Sequence, residues 1–66
     1  MEVTVIYNKT KQKKEIQENS TIKEMLNLMG ISSETVVVKR GNEIVMDEEK
    51  LHNEDVIEVI RVIYGG

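Results

Sequence analysis

With 66 residues and a formal charge of −3 at pH 7, the chain has room for one small domain and lacks the basic balance of a general nucleic-acid binder. It has no cysteine, tryptophan or phenylalanine and a single histidine, which excludes disulfide staples and thiolate-held metals and argues against any metal site. No apolar run approaches the ~20 residues of a membrane span and no signal-peptide pattern opens the chain, so a soluble, cytoplasmic protein is expected.

The opening stretch, Met1 to Asn8, is β-branched and aromatic and reads as a strand, with Val3, Val5 and Tyr7 on one face and Thr4 and Ile6 on the other. Asn8 to Gln12 is polar and turns the chain, and Lys13 to Gln17 forms a short return strand around Ile16. Lys9, Lys11, Lys13 and Lys14 cluster here. A phosphate-binding patch is one reading. A solvated hairpin that guards a sheet edge from mispairing is the more economical one.

Ser20 to Ile31 carries the clearest local signal. Thr21 followed by Glu24 makes a capping box, and Ile22, Met25, Leu26 and Met29 form one apolar stripe at helical spacing. Gly30 supplies a left-handed stop and Ile31 folds back on the last turn. The methionines read as core filling rather than as a promiscuous groove. A helix of about ten residues is marginal alone in water, so the stripe must be buried on a sheet.

Thr35 to Arg40 is a third strand, turned by Gly41-Asn42 into Glu43 to Met46. Val36 and Val38 are placed toward the helix and Val37 away from it, unless a bulge near the turn shifts the register. Asp47 to Lys50 is a polar excursion anchored by Leu51, and His52 to Asp55 is a second polar turn. His52 has no serine, cysteine or ligand cluster beside it in the pattern and reads as a solvated loop residue. The last strand, Val56 to Ile63, alternates so that Ile57 and Val59 face the core and Glu58, Ile60 and Val62 face outward.

Tyr64 carries the chain off this strand, and Gly65 and Gly66 close it without side chains. Two glycines contribute little to stability at a terminus, but they make a thin wire tipped with a carboxylate, able to enter a channel closed to any side chain. The alternative is an end without function.

The order strand, strand, helix, strand, strand, strand predicts an α+β domain over 1–63, with 64–66 as a flexible tail. A hairpin, a crossing helix and a return to a strand beside the first is the β-grasp (ubiquitin-like) arrangement. It implies a mixed sheet of four to five strands with one helix across one face, and parallel first and last strands at its centre.

The element order, the helix start Ser20-Thr21-Ile22, the stretch Leu51-His52-Asn53-Glu54-Asp55-Val56-Ile57-Glu58-Val59 and the terminal Gly65-Gly66 resemble the ubiquitin-like sulfur carriers. That family includes the ThiS and MoaD proteins and archaeal ubiquitin-like modifiers, and the length is closest to ThiS. Where the family usually has Gly-Asp in the last turn, this chain has Glu54-Asp55.

The resemblance implies that the carboxylate of Gly66 is adenylylated by a separate ThiF/MoeB-like enzyme and then converted to a thiocarboxylate. It also implies that Gly65 lets the backbone pass a constriction. Sulfur would go to an acceptor enzyme such as thiazole synthase or the molybdopterin synthase large subunit, or into tRNA thiolation. The chain would be a cosubstrate and not an enzyme, with no cofactor of its own and with ATP used by the partner. The outward residues Ile60, Val62 and Ile6, with Val37, are expected to form the docking surface, with Arg61 and Tyr64 near the exit. A homodimer interface, or a core wrapping both faces, would use the same residues. Two further functions are compatible with part of this pattern: a protein modifier joined to lysines through Gly66, and a regulatory or RNA-linked β-grasp module, which normally sits in a longer chain without Gly-Gly. The free carrier is expected to be monomeric, away from membranes and nucleic acid.

Overall fold

The computed structural model describes residues 1–62. Among them the chain forms β1 (Glu2–Tyr7), β2 (Thr10–Glu15), α1 (Ile22–Leu28), a 3₁₀ turn (Ser33–Thr35), β3 (Val36–Arg40), β4 (Glu43–Val45) and β5 (Val56–Arg61). The strands make one sheet in the order β2-β1-β5-β3-β4. β1 and β5 run parallel, with Thr4 opposite Val56 and Tyr7 opposite Val59, and the other neighbours are antiparallel. This is the expected β-grasp arrangement, with five strands and the helix packed on one face.

The core lies between α1 and the sheet. Val3 and Val5 of β1, Ile22, Met25 and Leu26 of α1, Val38 of β3 and Ile57 and Val59 of β5 are buried, and Ile16 and Leu51 close its ends. Tyr7, Met29, Ile31, Val36 and Val45 pack around them. Val38 and Val36 therefore face the helix, and no bulge shifts β3 against β5, where Val38 lies opposite Val59.

The helix ends are set by local chemistry. The Thr21 hydroxyl accepts from the Glu24 amide at 3.2 Å while the Glu24 carboxylate accepts from the Thr21 amide at 2.9 Å. At the other end Gly30 takes φ +72, its amide donates to Asn27, and the Ile31 amide donates to the Leu26 carbonyl at 2.9 Å. Those two bonds are a Schellman stop, and Ile31 turns back onto the core as part of it.

The first hairpin differs from its sequence reading. The return strand is Thr10–Glu15 rather than Lys13 to Gln17, because the turn is only Asn8-Lys9, with Tyr7 paired to Thr10. Both turn residues are left-handed, at φ 53 and 65, the geometry that matches strand twist in a two-residue hairpin. β2 is polar throughout and is a strand by virtue of pairing with β1. Ile16 lies just past it, buried, its amide donating to the Met1 carbonyl at 2.8 Å.

In the second hairpin Gly41 takes φ +62 at the first turn position, where a type II′ turn calls for glycine. The 47–55 loop is tied to α1, to β1 and to the end of β3. The Leu51 amide donates to Ser20, the Ile22 amide donates to Glu49, and Arg40 reaches across from the end of β3. The Arg40 guanidinium donates to the Lys50 carbonyl at 2.8 Å and pairs with Asp55 at 3.2 Å and Glu49 at 3.6 Å. Glu54, in the turn into β5, adopts φ +67, a left-handed conformation.

Candidate functional site

Two parts of the chain were singled out by sequence: the outward sheet face and the carboxy-terminal residues. Tyr64, Gly65 and Gly66 lie outside the described residues, and Ile63 does too.

The sheet face opposite the helix is built by alternation. In β5 the buried positions are Ile57 and Val59, so Val56, Glu58 and Ile60 point the other way, and Val62 continues that parity. Register brings the neighbours into line: Ile6 lies opposite Glu58, Val37 opposite Ile60, and Lys39 opposite both Glu58 and Ile44. Ile6, Val37, Ile60 and Val62 thus share one surface, as expected. Ile60 is 40% exposed, Val56 48% and Ile44 70%.

Val56 and Ile44 belong to this surface and were missed by the sequence reading. The signal for Val56 was present, since it sits two residues before Glu58 in the same alternation. Ile44 needed the register of the second hairpin. On the β2 side Lys11 lies opposite Ile6 and Lys13 opposite Thr4, so the apolar strip has a basic border. Lys13 sits 4.0 Å from Glu2.

Arg61 is placed differently from its companions in the sequence reading. It has the parity of Ile57 and Val59, hence the helix side of the sheet, and is exposed at the end of β5 opposite Val36. Beyond Val59 the chain runs past the end of β1, and the Val62 amide donates to the Thr35 carbonyl at 2.9 Å on the β3 side. On the β1 side a cleft of about 390 Å³ opens, lined by Ile6, Tyr7, Asn8, Lys9 and by Glu58 to Arg61.

Among the described residues no cluster of three or more His, Cys, Asp or Glu side chains is arranged to hold a metal ion. No helix of the described chain is long and apolar enough to cross a membrane. His52 is exposed, its amide donating to the Asp55 carboxylate at 2.8 Å, a loop-closing contact. What this surface offers chemically is apolar area with a charged border, on the strand that leads to the carboxy end.

The sequence profile of the ThiS family matches residues 3–66. The chain belongs to the ThiS family. It is also 38% identical, over 52 residues, to the sulfur carrier protein TtuB of Thermus thermophilus, a match covering 79% of this chain and 80% of that one. Among solved structures it is similar to the N-terminal ubiquitin-like domain of the 4931431F19Rik protein, with a TM-score of 0.76 at 16% identity over the whole of this chain and 78% of that one. A Caldiarchaeum subterraneum ubiquitin gives a TM-score of 0.71 at 14% identity, covering 100% of this chain and 98% of that one. At such identities the structural likeness speaks for the fold alone. The ThiS-family match, in contrast, runs through the last strand to Gly65 and Gly66.

Proposed function

We propose that this ThiS-family protein is a sulfur carrier that works through the carboxylate of Gly66. The observation that carries the reading is the family match, which extends through Gly65 and Gly66. The Thermus relative, named a sulfur carrier and matching four-fifths of its length, supports the same reading.

A carboxylate is a poor acyl donor and needs activation. Its oxygen attacks the α-phosphorus of ATP on a ThiF/MoeB-like adenylating enzyme, releasing pyrophosphate and leaving an acyl-adenylate on Gly66. Sulfide (HS⁻) supplied by a partner then attacks the acyl carbon, the bond to AMP breaks and AMP leaves, and loss of the proton from sulfur leaves a thiocarboxylate. Sulfur replaces an oxygen of Gly66, which is how a chain with no cysteine can carry it.

In this reading the protein is a cosubstrate and not an enzyme. It docks as a monomer in the cytoplasm through Ile6, Ile60 and Val62 and holds no cofactor itself. The acceptor is a thiazole, molybdopterin or tRNA thiolation enzyme.

The test is pyrophosphate exchange with the adenylating enzyme of the same cell, comparing the full chain with a Gly66 deletion and with Gly65→Val. Both variants are expected to fold normally and to lose exchange, since misplacing a reacting group by ~1 Å costs on the order of a hundredfold. Exchange from the deletion variant equal to that of the full chain would end the reading. Intact-mass analysis of protein from its native cell separates a thiocarboxylate, seen as one oxygen exchanged for sulfur, from Gly-Gly remnants on lysines of other proteins.

A further inference from the structure

Lys9 stands where the physics of the turn disfavours it. In a two-residue hairpin with both central residues left-handed, the second position favours glycine, because a Cβ crowds the backbone there. This chain places lysine at that position with φ 65. Asn8, at φ 53, is a residue that tolerates the conformation, so the strain is concentrated on Lys9. A strained residue kept by a surface turn points to a use for its side chain.

The surroundings indicate the use. Lys9 borders the cleft at the end of β1, whose other walls include Ile6, Tyr7, Val59, Ile60 and Arg61. Lys11 stands opposite Ile6 on the adjoining face. Among the described residues neither Lys9, Lys11 nor Arg61 is within salt-bridge distance of an acid. Among the described residues the one acid in the cleft wall, Glu58, lies opposite Lys39 in register, so a cation stands beside it on the β3 side. In a molecule of net charge −3, the described residues at this sheet end carry a local excess of positive charge around an apolar floor. It is continuous with the outward sheet face through Ile6 and Ile60.

We propose that Lys9 and Arg61 form a cationic clamp at this cleft that receives a carboxylate side chain of the adenylating enzyme, flanked by an apolar residue of that enzyme. The inference rests on the carrier reading and adds to it a specificity contact apart from the apolar face. Opposite charges at an exposed rim act mainly on encounter and partner choice, and their effect falls with salt.

The experiment measures stability and affinity together. Lys9→Gly is expected to raise the denaturation midpoint, because it relieves the turn. At low salt it is expected to weaken binding to the adenylating enzyme by roughly two- to fivefold, the range of an exposed ion pair. Lys9→Asn, which tolerates the left-handed turn but has no charge, should lose the same affinity, and Lys9→Glu more. Arg61→Gln should weaken binding in the same way. High salt should bring all four variants close to wild type. Lys23→Gln, exposed on the helix, should bind as wild type does.

Wild-type affinity for Lys9→Gly at low salt would overturn the clamp, and a lowered denaturation midpoint would overturn the strain on which it is based. Pyrophosphate exchange by the wild-type pair separates the two readings. Exchange with no loss in the Lys9 variants sinks the clamp alone, whereas absence of exchange from wild type sinks the carrier reading and the clamp with it.

Discussion

Leu26→Ala tests whether the helix is held by burial. Leu26 has no exposed surface and sits in the layer between α1 and the sheet, in one cluster with Ile22, Met25, Val3, Val5 and Ile57. Truncation removes three carbons, which at about 0.8 kcal/mol each is roughly 2.4 kcal/mol of transfer free energy. A residual cavity adds to this, and the whole falls in the range of about 2–5 kcal/mol.

A domain of this length has a total of roughly 3–10 kcal/mol, at about 0.05–0.15 per residue, so the variant should lie near the edge of folding. Urea denaturation followed by circular dichroism reads it directly. With a slope near 1 kcal/mol per M, the midpoint should fall by about 2–5 M. The control is Leu28→Ala, two residues along and 76% exposed, expected within about 0.5 kcal/mol of wild type. A loss below about 1 kcal/mol for Leu26→Ala, or equal losses for both variants, would refute the packing argument.

Ile60→Asp should keep its fold to within about 1 kcal/mol, since the side chain is 40% exposed, while binding to the adenylating enzyme in a titration weakens; unfolding seen by circular dichroism would mean this face is core. Gly30→Ala should cost about 1 kcal/mol in thermal or urea melts through its φ of +72 alone, because an added Cβ meets nothing within 4 Å. Arg40→Ala should cost about 1.5–3 kcal/mol by denaturation, having removed the charged donor that ties Lys50 and Asp55 to the end of β3. Hydrogen exchange should then quicken in the 47–55 loop before it does in α1.

The parts of this protein legible in its sequence are those whose causes lie a few residues apart. Thr21 and Glu24 cap a helix from three residues' distance, and Gly30 ends it with two bonds inside its own last turn. Val3 and Val5, and Ile57 and Val59, show their buried face by strict alternation, and the predicted outward set of Ile6, Ile60 and Val62 follows from the same period. The family was legible in the same way, as a pattern of residues along the chain.

What the tertiary structure alone decided depends on partners far away in the chain. β2 carries no apolar period of its own and is a strand from Thr10 because β1 pairs with it across a two-residue turn that the sequence, lacking glycine there, did not announce. Ile44 joins the outward face through the register of β3 with β4, and Arg61 falls on the helix side, away from Ile60 beside it, by parity in a strand whose end Thr35 secures. The tie from Arg40 to Asp55 spans two strand ends and a loop. The cleft beside Lys9 exists only because β5 continues past the point where β1 turns away. Local signals fix φ, ψ and capping from neighbouring atoms, whereas register and shared surfaces are properties of pairs of strands, settled only when the chain closes on itself.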